Sequence, residues 1–449
     1  MTGASPDVRP KTTLPENVPP APADLWVRKN DPRGLVILRW VALAAMIGAP
    51  LTGSTVLAGL AIVTFVVQLL TNTARRGLFL RNLQGLPCLR EATPAPTTAA
   101  TLPGVSFIVP ARNEEDGIEP AARSVGALDY PGLEVIYVDD HSTDATPAIL
   151  DRLATEFPRL RVVHDPPRRD GWLGKANAVW HAVGESDASN PWLVLADADV
   201  VFGPAALRLA VAHAVANKLD FLTCVAYLDN GSASEELFMP LAWAGLIQGA
   251  HYARLNDPKT PAIGVGAFIL VKRSVYLACG GHAAICGRQP EDTLLAALVR
   301  RNGGNMGVFW SAGLVHVRIY RGYRQLRQFM ARKMRMQTQD KLSRMLVRVV
   351  TLLIQDVLPL PLAVAGCVQQ IAARDFSFSM TAYAAAASLA YLTSVGMYRE
   401  FRAIATMRPG IEWAHPLGGL LRMYLFGVAA RQVLMRKGME WRGRDFTHE

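Results

Sequence analysis

Cysteine is scarce in this chain and shows no metal-binding spacing. The 449 residues include only five cysteines. They form no CxxC pair and no zinc-type pattern; they are Cys88, Cys224, Cys279, Cys286 and Cys367. We therefore expect reduced thiols instead of a disulfide framework or a zinc site.

Acidic residues are also few relative to basic ones. The chain has 37 Asp and Glu against 47 Lys and Arg, a net charge of +10. Much of the basic excess lies beside apolar segments, and no nucleic-acid-binding motif accompanies it. This distribution favours contact with anionic lipid headgroups. We expect a phospholipid bilayer as a partner, and no nucleic acid.

Apolar residues are abundant, at 51% of the chain, which exceeds the usual share of a soluble domain. Residues 1–33 hold seven prolines and predict a disordered tail. No secretory signal peptide is expected, because the first apolar run begins behind that tail. Residues 34–73 predict transmembrane sequence, either one long span or two short ones. Basic residues on both sides favour a hairpin with cytoplasmic flanks, and 74–103 predicts a linker.

The middle of the chain, residues 104–320, alternates between two patterns. Short apolar runs predict buried strands at 105–110, 133–140, 160–164 and 192–200, and helical stretches separate them at 114–127, 144–157 and 174–185. Strands that alternate with helices predict an α/β fold with a mostly parallel sheet. Ligands of such sheets bind beyond the carboxyl ends of the strands.

The remainder predicts further membrane contact. Residues 321–348 carry nine basic residues and one acidic residue with interleaved apolar ones. They predict an amphipathic helix at the membrane surface, with a solvated basic helix as the alternative. Residues 349–434 predict transmembrane or interfacial helices, and 435–449 a basic cytoplasmic tail. The apolar stretch 237–250 lies either against lipid or in the protein core. The predicted location is a bacterial-type inner membrane, with several crossings and a cytoplasmic catalytic domain.

Two carboxylates interrupt the apolar stretch LVLADADVVF (193–202), which predicts a buried strand. Residues two apart on a strand face the same side, so Asp197 and Asp199 predict a shared site. Carboxylate oxygens suit Mg²⁺ or Mn²⁺ together with substrate phosphates. The alternative is a turn with solvated aspartates.

Further polar residues follow the other strands. Asp139 and Asp140 end the second strand, and we favour Asp140 as the one that reaches a nucleotide. Ser142 or Thr143 is interpreted as a cap of the next helix. Lys175 opens a helix, where it either steadies a diphosphate or is an exposed surface lysine.

Two acids, Glu291 and Asp292, begin a later helix. Simple helix capping is one interpretation. The other is a general base, and here we expect the helix dipole to lower the pKa and keep the acid ionised. Asp292 is the first choice for the base and Glu291 the second.

Seven segments in the same order resemble family 2 glycosyltransferases of the GT-A fold. They are VPARNEE, VDDHSTD, GWLGKANA, LADAD, GVGAF (264–268), CGGH (279–282) and PEDTLLA, and the resemblance covers about Val105 to Lys333. It is greatest to membrane-attached enzymes that glycosylate lipids, such as ceramide glucosyltransferases and hopanoid-associated bacterial enzymes. The ending EWRGRDF (440–446) is also similar to that branch.

The resemblance implies a role for each matched residue. It places Pro110, Arg112 and Glu114 at the nucleotide, Asp140 at the base or ribose, Lys175 and Asp197 near the donor, and Asp199 on the metal. It implies that Asp292 is the base of an inverting transfer. The sugar and acceptor pocket would include Gly264, Gly266, Gly281 and His282.

The chain departs from the family in one motif. Processive members carry Q/RxxRW, whereas RGYRQ (321–325) has no tryptophan. The resemblance therefore implies non-processive transfer, with Arg321 or Arg324 as a cation for the leaving group. The expected reaction is metal-dependent transfer from a nucleotide-sugar, most simply a UDP-sugar, to a lipid hydroxyl. The alternatives are a membrane nucleotidyltransferase and an inactive scaffold or transport protein.

Overall fold

The computed structural model describes most of the chain in two compact units. The described residues are 10–15, 18–21, 34–52, 54–90, 102–249, 254–257, 259–374, 376–435, 439–441 and 444–446. The first unit comprises Met1–Arg28, Leu83–Tyr227 and Ala250–Ile319, and the second comprises Lys29–Asn82, Leu228–Gly249 and Tyr320–Glu449. The range 104–320, predicted as one domain, is therefore interrupted, because residues 228–249 belong to the second unit.

Strands alternate with helices in the first unit, whereas the second unit is mainly helical. The helices are α1 Gly34–Thr52, α2 Thr55–Gln84, α3 Ile118–Gly126, α4 Thr146–Glu156, α5 Gly174–Glu185, α6 Ala206–Ala216, α7 Ala233–Gly249, α8 Arg273–Ala278, α9 Glu291–Arg301, α10 Gly322–Thr338, α11 Leu342–Leu352, α12 Pro359–Ala373, α13 Phe378–Glu400 and α14 His415–Leu434. The strands are β1 Val105–Ala111, β2 Leu133–Asp139, β3 Leu160–His164, β4 Trp192–Leu195, β5 Val200–Phe202, β6 Phe221–Val225, β7 Tyr227–Leu228, β8 Ile269–Lys272, β9 Met306–Trp310, β10 Val315–Val317, β11 Met439–Trp441 and β12 Arg444–Phe446.

The first unit is built on a seven-stranded sheet. The strand order is β3-β2-β1-β4-β8-β6-β9. β8 runs antiparallel to both β4 and β6, and the other pairs are parallel. All seven residues of β2 are buried, as expected for a parallel strand covered on both faces. The predicted α/β class with a mostly parallel sheet is confirmed.

Two local predictions in this unit are wrong. The strand predicted over 192–200 stops at Leu195, and a turn separates it from β5. The helix after β2 has no side-chain cap. The Ser142 hydroxyl instead accepts a hydrogen bond from the Asn113 N–H, and the Thr143 N–H donates to the Asn113 side chain. These polar groups join two loops and do not cap the helix.

The proline-rich beginning of the chain is ordered where it is described. Residues 10–15 and 18–21 contact the first unit, and Thr12 is buried. Lys11 forms an isolated antiparallel bridge with Asp187. The prediction of a disordered tail is wrong for these residues, because composition alone does not reveal backbone pairing with a distant loop; the rest of 1–33 lies outside the described residues.

The second unit contains helices from both ends of the chain. α1 and α2 are separate helices on either side of residue 53, which matches the two-segment alternative for 34–73. α2 continues to Gln84, into the range predicted as a linker. The basic stretch predicted as one helix over 321–348 is two helices, because Gln339 and Asp340 have positive φ and end α10.

The candidate membrane spans are fewer than predicted. Among the described residues, α2 is long and apolar enough to cross a membrane. The pair Leu342–Val357 and Pro359–Ala372 passes the same test together, with a bend of 52° between its halves. Several crossings are therefore not confirmed. In α7 the described apolar residues Leu237, Phe238 and Ile247 are buried, which favours the core interpretation of 237–250.

Candidate active site

The carboxyl ends of three neighbouring strands meet at one edge of the sheet. β1 pairs with β2 so that Ala111 lies opposite Asp139. β1 also pairs with β4, with Ile108 opposite Leu195. The segments that follow these strands therefore leave the sheet side by side. This edge is the place where the sequence predicted ligand binding.

Four charged side chains form a cluster at this edge: Lys175, Asp197, Glu291 and Asp292. The Lys175 Nζ lies 2.5 Å from Asp197 Oδ1 and 2.7 Å from Glu291 Oε1. Lys175 is in the first turn of α5, Asp197 follows β4, and the two acids begin α9. Three separate elements thus converge on one ammonium group. The surface-lysine interpretation of Lys175 is wrong, since its side chain is largely buried between two carboxylates.

Asp292 is held by backbone donors. Its Oδ2 accepts a hydrogen bond of 3.1 Å from the Gly266 N–H, and its Oδ1 accepts one of 2.7 Å from the Thr293 N–H. The second bond joins adjacent residues within the first turn of α9, which has no side-chain cap hydrogen bond. The first reaches across to the loop before β8, so the carboxylate is fixed from two sides.

The environment of the cluster changes the acidity of its members. Burial, followed by the neighbouring Glu291 charge, raises the pKa of Asp292 to about 6. The prediction that the helix dipole lowers this pKa is wrong, because desolvation and a like charge outweigh it. Burial would also raise the pKa of Glu291, but the charge of Lys175 outweighs it and the pKa is lowered. Burial opposes the charge of Lys175, yet Asp197 and Glu291 raise its pKa well above the usual value.

Two glycines let backbone approach the cluster. A Cβ on Gly266 would lie 2.7 Å from Asp197 Oδ2, and one on Gly264 would lie 2.1 Å from the Asp292 carbonyl oxygen. The Asp197 N–H also donates to the Gly266 carbonyl over 3.0 Å. Glycine at these positions therefore allows the loop to contact both carboxylate segments at once.

Asp199 lies in the turn between β4 and β5 and is half-buried. Among the described residues, no group of three or more His, Cys, Asp or Glu side chains is arranged to hold a metal ion. Asp197 already contacts Lys175 through Oδ1. Any protein ligands for a divalent cation at this edge would therefore be few.

A second group of contacts joins the loops after β1 and β2. The Arg112 guanidinium donates to the Asp140 carbonyl over 2.6 Å, and the Glu114 N–H donates to the Thr146 hydroxyl over 2.8 Å. Pro110 is the penultimate residue of β1. The predicted nucleotide residues after these two strands thus belong to one connected pair of loops.

Asp139 ends β2 and Asp140 follows it, and both aspartates are buried. Asp139 is buried, accepts a hydrogen bond from the Ser142 N–H and faces His164 Nδ1 at 3.3 Å. Asp140 has its Oδ1 3.2 Å from His141 Nδ1. Asp139 is therefore engaged in holding the loop, and the predicted contact of Asp140 with a ligand stays a prediction.

The CGGH segment is a packed turn. Gly280 and Gly281 have positive φ. His282 is buried, and its Nδ1 lies 2.9 Å from the Tyr276 hydroxyl. Burial lowers the pKa of His282 to about 4, so the ring is neutral at pH 7. Its electrostatic interaction with Glu291 shows that it lies close to the cluster. Tyr276 and Thr293 carry no sequence signal that marks them as partners of these residues.

Arg321 and Arg324 are exposed and lie at the start of α10 in the second unit. The Arg321 N–H donates to the Gln325 side chain, which places it at a helix start. Their predicted role at the leaving group stays a prediction.

Comparisons with known proteins identify relatives of part of this chain. Residues 106–278 match the Glycosyl transferase family 2 model, which includes Lys175, Asp197 and Asp199 but ends before α9. A beta-monoglucosyldiacylglycerol synthase of Synechocystis sp. is 34% identical over 158 residues, 31% of this chain and 32% of that protein. A Nostoc sp. protein of the same name is 42% identical over 81 residues, 18% of this chain and 17% of its own.

The chain thus spans about a third or less of these relatives' lengths. A mannosyltransferase of Pyrobaculum calidifontis, solved with GDP-Man and Mn²⁺, is 20% identical, and the match covers 90% of this chain and 99% of that one at a TM-score of 0.47. From the family match, residues 106–278 are a glycosyl transferase family 2 domain.

Proposed function

We propose that this protein transfers a sugar from a nucleotide-sugar to a hydroxyl group of a membrane lipid, with inversion at the anomeric carbon. The observation that carries the proposal is Asp292, a carboxylate fixed by two backbone N–H groups beside a lysine-neutralised pair of acids. The other residues that we assign to this sheet edge, from Pro110 to Asp199, lie within the range that matches the Glycosyl transferase family 2 model. The transfer would be non-processive.

Asp292 acts as the general base. A pKa of about 6 keeps most of the group ionised at pH 7, yet it is close enough to neutrality to accept a proton efficiently. The acceptor hydroxyl gives its proton to Asp292 as its oxygen bonds to the sugar carbon. The bond between that carbon and the diphosphate oxygen breaks on the opposite face. One displacement of this kind inverts the anomeric centre.

The donor diphosphate carries negative charge to an edge already rich in carboxylates. Lys175 balances two of them, Asp197 and Glu291, and so reduces repulsion of the donor. Mg²⁺ and Mn²⁺ prefer oxygen ligands, and Asp197 and Asp199 provide carboxylate oxygens. The residues present therefore fit such an ion if phosphate oxygens of the substrate complete its coordination. The bound ion would neutralise charge on the departing nucleoside diphosphate.

The nucleotide would lie against the loops after β1 and β2. Pro110, Arg112, Glu114 and Asp140 are the residues we assign there, with Asp140 accepting from the base or ribose. The Arg112–Asp140 contact already couples the two loops. A UDP-sugar is the donor we propose.

A lipid acceptor is supported by the second unit and by the relatives. Of the exposed large apolar side chains in the described part of the chain, all but Val215 belong to the second unit. They include Leu51 of α1 and Val56 and Val63 of α2, each at 60% exposure or more. Apolar exposure of this extent marks a membrane or partner surface. The relatives' name, beta-monoglucosyldiacylglycerol synthase, is that of an enzyme with a lipid product.

The test is transfer by the purified full chain. The protein is incubated with Mg²⁺ or Mn²⁺, a panel of UDP- and GDP-sugars and a total lipid extract, and the lipids are analysed by mass spectrometry. We expect one lipid class to gain a single sugar mass, with loss of product after chelation and recovery when the ion is restored. Pyrophosphate release from a bare nucleoside triphosphate would instead indicate a nucleotidyltransferase.

A further inference from the structure

The described N-terminal residues 10–15 and 18–21, here called the strap, pair with the loop after α5. The Ala188 N–H donates to the Pro10 carbonyl over 2.7 Å, and the Thr12 N–H donates to the Ser186 carbonyl over 3.2 Å. Lys11 lies opposite Asp187 in an antiparallel bridge between these two bonds. The strap therefore adds a short stretch of backbone pairing to the end of α5.

Thr12 anchors the strap in a buried polar network. Its hydroxyl donates to the Ser186 carbonyl over 3.1 Å and accepts from the Arg273 guanidinium. Arg273 is itself buried and also donates to the Ser186 hydroxyl, the Asn190 carbonyl and the Ser106 hydroxyl. Removal of the Thr12 hydroxyl would leave a buried guanidinium N–H without this acceptor, which is destabilising.

The other end of the strap contacts the segment that leads to α9. Val18 packs so closely on Gly280 that a Cβ there would lie 2.4 Å from its Cγ1. The Ala21 N–H donates to the Ala284 carbonyl over 2.7 Å, and the Arg288 guanidinium donates to the Ala21 carbonyl over 3.0 Å. The strap thus joins the end of α5 to residues 280–288.

These two partners of the strap also carry the charged cluster. α5 begins with Lys175, and residues 280–288 lead directly to Glu291 and Asp292. Besides the Lys175–Glu291 ion pair, the Leu173 N–H donates to the Cys286 carbonyl over 2.8 Å. Both the strap and α9 lie outside the residues that match the family model.

We propose that the strap is a positioning element that holds α5 and residues 280–290 together, so that Lys175, Glu291 and Asp292 keep their relative positions. The strap touches no reacting atom. It acts by fixing two segments that otherwise meet through few backbone bonds. This inference rests on the proposed function of the cluster.

The test compares three forms: the full-length wild type, a chain lacking residues 1–22, and a control lacking residues 1–8, which keeps every strap contact named above. Hydrogen exchange is measured at residues 173–186 and 280–293, and kcat and KM for donor and acceptor are measured by lipid glycosylation. We expect loss of residues 1–22 to speed exchange in those two segments and to lower kcat about 10- to 100-fold, the scale of effect expected from a small misplacement. The donor KM should change little, and the control should match the wild type.

A matched pair of substitutions distinguishes a local effect of the strap from general unfolding of the truncated chain. Thr12→Val removes the hydroxyl, and Thr12→Ser retains it. We expect Thr12→Val to show the same local exchange and a smaller loss of kcat, and Thr12→Ser to resemble the wild type. Unchanged exchange at both segments in Thr12→Val, or faster exchange throughout the first unit instead of locally, would overturn the proposal. Hydrogen exchange needs no substrate, so this result is independent of whether the wild type transfers sugar.

Discussion

Lys175 determines the balance of charge in the candidate site. It lies between Asp197 and Glu291 at 2.5 Å and 2.7 Å, and its charge also lowers the pKa of Asp292. Without it, three carboxylates would face one another in a largely buried space, where like charges repel strongly. The sequence predicted Lys175 as a diphosphate contact or an exposed surface lysine at a helix start. It did not predict the Glu291 contact, because that contact joins residues more than a hundred positions apart.

The pKa of Asp292 predicts the pH dependence of transfer. A base must be ionised to accept a proton, and Asp292 becomes protonated as the pH falls through about 6. We expect kcat/KM for the free enzyme to fall about tenfold per pH unit below 6 and to level off above it. A pH–rate profile of lipid glycosylation checks this. A flat profile from pH 5 to 7 would contradict the assignment.

Substitution of Lys175 should move that profile. In Lys175→Met the pKa of Asp292 rises further, because the positive charge that lowers it is gone. We expect the acidic limb to shift to higher pH and kcat to fall, with Lys175→Arg closer to the wild type because it retains the charge. Lys218→Met, at an exposed site on the same unit, is the matched control. An unchanged acidic limb in Lys175→Met would show that the lysine does not act on the base.

At the scale of elements, the turn after β4 and the loop before β8 shape the site. Four strands were predicted because each contains a continuous apolar run, and the first three end within one residue of the structure's bounds. The end of β4 at Leu195 was not, because apolar residues continue on both sides of Asp197 and Asp199. The order of β8, β6 and β9 depends on pairing between distant segments, which a local pattern does not contain.

At Gly266, in the loop before β8, we expect a single added methyl group to lower activity strongly. Gly266→Ala would place a Cβ 2.7 Å from Asp197 Oδ2, so either the carboxylate or the loop must move. We expect kcat/KM for the donor to fall at least about tenfold, since small displacements at reacting groups have effects of this size. Gly77→Ala, where a Cβ meets nothing within 4 Å, is the control and should leave kcat/KM unchanged, with a Tm equal to or above that of the wild type because alanine favours the α2 helix. Wild-type kinetics in Gly266→Ala would show that the loop does not set the position of the carboxylate.

For the whole molecule, the contrast between the two units is the main feature. The first unit has a buried sheet and few exposed large apolar side chains, whereas the second exposes many along α1, α2 and α10–α14. Composition alone predicted membrane contact with several crossings. Among the described residues, one helix, or two spans if the bent pair counts as one, is long and apolar enough to cross a membrane.

Membrane association follows from that contrast. We expect the full chain to sediment with membranes after cell lysis, to resist an alkaline carbonate wash and to require detergent for release, since the exposed apolar surface of the second unit needs lipid or detergent to cover it. Fractionation followed by immunoblotting measures this. A monodisperse protein in the detergent-free supernatant would contradict it.

The central claim is that Asp292 is the base of sugar transfer to a lipid. The most direct measurement compares the wild type, Asp292→Asn and the control Glu156→Gln, an exposed acid on α4, in one lipid-glycosylation assay read by mass spectrometry, with nucleotide binding measured alongside in the presence of Mn²⁺. We predict that Asp292→Asn lowers kcat by roughly 10²- to 10⁴-fold while it still binds UDP, and that Glu156→Gln transfers sugar like the wild type. Wild-type turnover by Asp292→Asn would contradict the account.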